Sequence, residues 1–142
     1  MVNGDPHATG VHRVGIVIVD HGSRRDDANR MLLDFVQLFQ SHTSYRIVEP
    51  AHMELAEPSI ATAFDRCVAQ AAVHVVVAPY FLSPGKHWDE DIPGLAGQAA
   101  AKHPAVTYGV SQPIGLHPLM VEVIQSRVEQ CLATGLGPGK GR

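Results

Sequence analysis

Four histidines stand in polar segments that directly follow apolar, β-branched runs. His21 lies in Asp20-His21-Gly22-Ser23-Arg24-Arg25, after Val14 to Val19; His52 lies in AHMELAEP; His87 lies in LSPGKHWD, after VHVVVAPYF; His117 lies in SQPIGLHP, after VTYGV. Neutral imidazole suits borderline divalent ions such as Fe²⁺, Co²⁺, Ni²⁺ or Zn²⁺. Free of metal, and with a pKa near about 6.5, it also accepts protons close to neutrality. His21 and His87 are 66 residues apart (87 − 21). No local spacing of the H-E-x-x-H kind fixes their geometry, so a metal role for this pair depends on the fold bringing them together. Glu54, in the same segment as His52, offers a third ligand or a proton acceptor. Arg24, Arg25 and Lys86 add positive charge suited to a carboxylated ligand.

Other chemistries compete at the first of these segments. Asp20, His21 and Ser23 are the residue types of a hydrolytic triad, but neighbours in sequence point apart and there is no G-x-S-x-G elbow. Gly22 and Ser23 ahead of a helix could cradle a phosphate, yet G-x-G-x-x-G and P-loop signatures are missing. Ser23 also fits a plain helix cap, with Asp26 three residues on.

The elements that must position these residues follow from periodicity. Val14 to Val19 reads as a buried parallel strand. Ala28, Met31/Leu32, Phe35 and Leu38/Phe39 then repeat at helical spacing, giving a helix from about Arg24 to Gln40. Tyr45 to Glu49 is a short strand stopped by Pro50, and AHMELAE a loop. Pro58 opens a second helix whose buried face is Ile60, Ala63/Phe64, Cys67/Val68 and Ala71. Val73 to Phe81 is the most apolar strand and belongs in the centre, with His74 at its start a structural or solvent-facing residue. Asp91 caps a third helix with Pro93 in its first turn and Leu95, Ala96, Ala99 and Ala100 facing inward. Val106 to Val110 is the last strand, and Pro118 opens a helix with a stripe of Met120, Ile124, Val128 and Cys131. The βαβαβαβα pattern with right-handed crossovers predicts an α/β, flavodoxin-like three-layer sandwich on a four-stranded parallel sheet of order 2-1-3-4. Ligands of such sheets bind outside the carboxyl ends of the strands, at the switch point between strands one and three. The four histidine-bearing loops all follow strands.

The 142 residues suit a single domain. We expect a flexible lead-in over residues 1–13, the domain over 14–134, and a disordered Gly-rich tail over 135–142. Charged residues make up 18% and the net charge is −3, which gives no general attraction to nucleic acid or anionic membrane. No apolar run reaches membrane-spanning length. Cys67 and Cys131, without a C-x-x-C spacing, read as reduced core thiols.

VDHGSRRDDANRML, EPAHMELAEPSI, VVVAPYFLSPGKHWDEDIP and PIGLHPLMVEVI, in this order, resemble the short, single-domain sirohydrochlorin chelatases, with wording nearest the plant and algal ferrochelatases. The resemblance runs from about Val14 to Leu132. It implies a type II chelatase that inserts Fe²⁺ or Co²⁺ into sirohydrochlorin without ATP, with no permanently bound cofactor. It implies that His21 and His87 are the metal-handling pair. Glu54, in M-E-L-A-E-P-S, would be catalytic beside them, and Ser23, Arg24, Arg25, Lys86 and His117 would bind the macrocycle or stabilise its loops. It implies a homodimer, since short members pair where longer relatives fuse two such domains. It places the protein in the plastid stroma of a photosynthetic eukaryote, or otherwise in the cytoplasm. Some plant-type relatives extend into a cysteine-rich tail associated with an iron–sulfur cluster; the Gly-rich tail here has no cysteines, so no cluster is expected. Cobalt or nickel as the metal, and a non-catalytic metal or tetrapyrrole carrier, stay open as alternatives.

Overall fold

The computed structural model describes residues 10–135 apart from Pro84, Lys86 and His87. After a 3-10 helix over Val11–Arg13 the elements are β1 (Val14–Asp20), α1 (Asp26–His42), β2 (Ile47–His52), α2 (Ile60–Ala69), β3 (His74–Pro79), α3 (Trp88–Ala101), β4 (Thr107–Val110) and α4 (Pro118–Thr134). The four strands are parallel and ordered β2-β1-β3-β4, as the crossover argument predicts. None of the described helices is long and apolar enough to cross a membrane.

β1 is buried from Gly15 to Val19 because it has a strand on each side and helices on both faces. Val17 and Val19 face α2 and α3, in a core with Ala51, Phe64, Val75, Val77 and Ile92. Ile16 and Ile18 face α1, in a smaller core with Leu32, Val36 and Val48. Gly15 lets α2 come close: a Cβ there would lie 2.8 Å from the Cβ of Cys67. That packing buries Cys67, and desolvation, with the charge of Glu49 adding, pushes its thiol up to about 12. The raised value makes the fold lose stability as pH climbs from about 9 towards 12, where only the unfolded thiol ionises. At pH 8 Cys67 is expected to stay unmodified by a thiol reagent until urea unfolds the chain. Peptide mass spectrometry checks this; labelling of the native protein at the unfolded rate would contradict it.

Several boundaries differ from the sequence reading. Pro50 does not stop β2 but lies inside it, beside Ile18 of β1. β2 is an edge strand, so a residue without an N–H is tolerated. The strand therefore continues to His52, which is not a loop residue. Ser23 does not cap α1: its Oγ accepts from the N–H of Arg25, and the helix begins at Asp26 with Arg25 as an N-cap lacking a side-chain bond. Pro58 precedes α2, whose cap is Ser59, accepting from the N–H of Thr62. α3 begins at Trp88, so Asp91 and Pro93 are inside it. His74, at the amino edge of the sheet, is hydrogen-bonded to Thr107 (2.6 Å), in keeping with a structural role.

The largest departure is α4. Its expected inward stripe is exposed at Ile124, Val128 and Cys131 and only half-buried at Met120. β3 accordingly alternates between buried and half-buried residues rather than being covered on both faces.

Candidate active site

β1 ends at Asp20, so His21 emerges at the carboxyl edge of a central strand, next to the exit of β3. Its exposed ring packs at 4.3 Å, tilted by 44°, against Phe81, which follows β3. The backbone therefore delivers the first and third loops to one place, at the switch point expected for this topology. Lys86 and His87 lie outside the described residues.

The second loop is joined to the first by backbone bonds. The N–H of Met53 donates to the carbonyl of Asp20 (2.9 Å) and that of Glu54 to the carbonyl of His21 (3.1 Å). Gly22, at φ +89°, lies so close that an added Cβ would overlap the carbonyl oxygen of Glu54. Leu55, just beyond, is held at φ +71°, a left-handed conformation costly for a branched side chain. Such strain persists only where neighbours enforce it, and here the bonds to β1's exit do so.

Beneath this junction is a pair that sequence reasoning did not assemble. His52 is buried, and its Nδ1–H donates to Asp20 Oδ1 at 2.6 Å, the carboxylate being acceptor-only. The same oxygen accepts from the N–H of Gly22 (3.0 Å). One carboxylate thus ties the end of β2 to the turn that carries His21. Asn29 of α1 holds the next residue from the other side: its Oδ1 accepts from the N–H of Ser23 (3.0 Å) and its Nδ2 donates to the Ser23 carbonyl (2.7 Å). The signals in the sequence were a polar strand end at Asp20 and a histidine beyond Pro50; what hid the pair was ending β2 before His52.

Glu54 is exposed and lines a pocket of about 390 Å³ with Met53 and with Glu90, Asp91, Gly94, Leu95 and Gln98 of α3. A smaller pocket of about 150 Å³ lies at the exits of β3 and β4, against Asp89, Ile92, Ser111 and Gln112. Among the described residues, no three His, Cys, Asp or Glu side chains are grouped closely enough to hold a metal. His21 and Glu54 are brought together as backbones, not as a ligand cluster. Arg24 and Arg25 are exposed at the rim, Arg25 reaching Asp27 at 3.4 Å, a surface pair that adds little stability. His117 caps α4, its Nδ1 accepting from the N–H of Leu119 (3.1 Å), so it stabilises the fourth loop.

The family model described as CbiX matches residues 15–131. The chain belongs to the CbiX family. This CbiX chain is 53% identical over 119 residues to "Sirohydrochlorin ferrochelatase, chloroplastic" of Arabidopsis thaliana, covering 84% of the chain and 53% of that protein. It is 33% identical over 114 residues to the sirohydrochlorin ferrochelatase of Bacillus subtilis, covering 80% and 44%. The chain thus spans about half the length of these curated relatives. Among solved structures, it is similar to a CbiX protein of Marinobacter aquaeolei at TM-score 0.74 and 28% identity, covering 85% of this chain and 98% of that one. It is similar to the sirohydrochlorin chelatase SirB of Bacillus subtilis subspecies spizizenii in complex with cobalt at TM-score 0.77 and 32% identity, covering 83% and 50%. The CbiX fold and its sheet order are therefore those read from the sequence.

Proposed function

We propose that this chain is a sirohydrochlorin ferrochelatase, inserting Fe²⁺ into sirohydrochlorin to form sirohaem without ATP. The observation that carries the reading is the junction at the carboxyl edge, where the His21 turn and the Glu54 loop are locked together beside the exit of β3. The names of its relatives support the same substrate. The metal is substrate here, with no permanently bound cofactor in the reading. The homodimer and a plastid location, the latter supported by the chloroplastic relative, belong to it as well.

Metal insertion displaces two protons from the ring nitrogens and strips water from the ion. Two neutral imidazoles, His21 and His87, can replace those waters and pass the ion to the ring. Each proton needs an acceptor; His21, once free of metal, and Glu54 are two groups at this junction suited to take them. Arg24, Arg25 and Lys86 would meet the carboxylates at the ring periphery, and Ser23 and His117 hold their loops in shape.

A second reading, cobalt insertion, is favoured by one finding: the relatives include a sirohydrochlorin cobaltochelatase of Priestia megaterium, 30% identical over 122 residues. Initial rates with sirohydrochlorin and Fe²⁺, Co²⁺ or Ni²⁺ supplied separately, without oxygen, decide between them. Fe²⁺ is expected to be fastest, with many product equivalents per chain. One equivalent or fewer would make the protein a carrier. Wild-type rates from a folded His21→Ala/His87→Ala double variant would remove the proposed chemistry. Glu54→Gln is expected to slow turnover on the order of a hundredfold if its carboxylate takes a proton; an unchanged rate would leave it as scaffold.

A further inference from the structure

Among the described residues, two that are not glycine have a left-handed backbone, Leu55 and Ala71. Ala71 lies just beyond α2, where its N–H donates to the carbonyl of Val68 (2.9 Å), and a left-handed residue commonly ends a helix. Leu55 ends no helix. Its turn is imposed by the bonds of Met53 and Glu54 to β1's exit, and glycine or asparagine would hold that turn with less strain. Leucine gains little from burial here either, being 56% exposed. A lone exposed leucine needs no explanation; one that is also strained, beside the candidate active site, does.

Leu82 is its counterpart in the third loop. It is 62% exposed and directly follows Phe81, whose ring packs on His21. The backbone leading to it is held from two sides: the N–H of Tyr80 donates to the carbonyl of Val19 (2.7 Å), and the carbonyl of Phe81 accepts from the N–H of Ile114 (2.9 Å). Leu55 likewise directly follows Glu54, whose N–H reaches the carbonyl of His21. β1 lies between β2 and β3. The two leucines therefore follow strands on opposite sides of the one that carries His21, with exits about 10 Å apart, two strand spacings. Arg24 and Arg25 are exposed at the same edge.

We propose that Leu55 and Leu82 seat the flat face of the macrocycle over His21. The inference rests on the chelatase reading and adds two substrate-contacting residues to that site. A tetrapyrrole fits this edge because its conjugated ring is flat and apolar while its carboxylates lie at the periphery. Apolar side chains flanking the imidazole meet the ring, and the arginines meet the periphery. The strained backbone suits the task. A residue pinned at a fixed φ is already placed before the ligand arrives, so binding pays less to order it.

The test uses the full chain. Absorbance titration reads binding of metal-free sirohydrochlorin, and initial rates read chelation. Leu55→Asn keeps the turn and removes the apolar side chain. It is expected to raise the urea midpoint, by relief of strain, and yet to raise both Kd and KM for sirohydrochlorin about tenfold, as expected for losing one largely buried leucine contact. The loss falls on KM rather than kcat. Leu82→Ser is expected to show the same rise in Kd and KM, and Leu55→Met, still apolar, to stay near wild type. Protection of Cys67 from a thiol reagent at pH 8 shows that each variant is folded. Unchanged Kd and KM in folded Leu55→Asn and Leu82→Ser would overturn the proposal, while chelation by the wild type would leave the chelatase reading standing. A wild type that binds sirohydrochlorin without inserting metal would end the chelatase reading; a tenfold rise in Kd would then still support the leucine contact. A changed mass in solution for either variant would place its leucine against another chain and overturn the proposal.

Discussion

Gly22→Ala is expected to lower the chelation rate by about a hundredfold or more while the sheet stays assembled. A Cβ at this position would run into the carbonyl oxygen of Glu54 and lie 3.1 Å from the Cβ of His52. The φ of +89° adds conformational cost for any L side chain. Relief requires the second loop to move away, and the bonds from Met53 and Glu54 to β1's exit then cannot both survive. Displacing a catalytic group by an ångström is enough for a loss on the order of a hundredfold. Stability should fall as well, by about 2–4 kcal/mol, from strain and the broken bonds. The absorbance change of sirohydrochlorin gives the rate and a urea midpoint gives the stability. A rate within twofold of wild type, with an unmoved midpoint, would show that the two loops are not coupled as described.

His52→Ala should be the most destabilising single change near the site, at about 3–4 kcal/mol. The ring is only 2% exposed, so truncation leaves a cavity. It also removes the donor that Asp20 Oδ1 faces at 2.6 Å, leaving a partly buried carboxylate short of a partner. Because the same oxygen holds the N–H of Gly22, the turn carrying His21 loosens, and chelation is expected to fall at least about tenfold even where the protein remains folded. His52→Asn places an amide N–H near the position of Nδ1 and should recover part of both losses. Equal damage from Asn and Ala would show that ring volume, not the bond to Asp20, matters.

Much of the fold was legible because the signals are local. A β-branched run at Val14 to Val19, helical spacing from Met31 to Phe39 and turn residues between them require no knowledge of distant contacts. The strand order followed from handedness. The errors fell where a neighbour outweighs a local preference. Pro50 ends a strand on propensity, but at an edge its missing N–H costs β2 nothing, and the strand runs on to His52. Ser23 followed by Asp26 has the form of a capping box, but Asn29 grips the Ser23 backbone and the helix starts two residues later than read.

The site divides in the same way. The sequence by itself determined that His21 stands at the end of a central strand, that Glu54 follows a neighbouring one, and that the last helix has an apolar stripe. Each depends on residue type and short-range periodicity. Only the tertiary structure decided that Asp20 reaches His52 across 32 positions, that Gly22 has no room for a side chain, and that the stripe of α4 stays uncovered by its own chain. Periodicity states which face of an element shuns water; which surface meets that face is settled by three-dimensional packing.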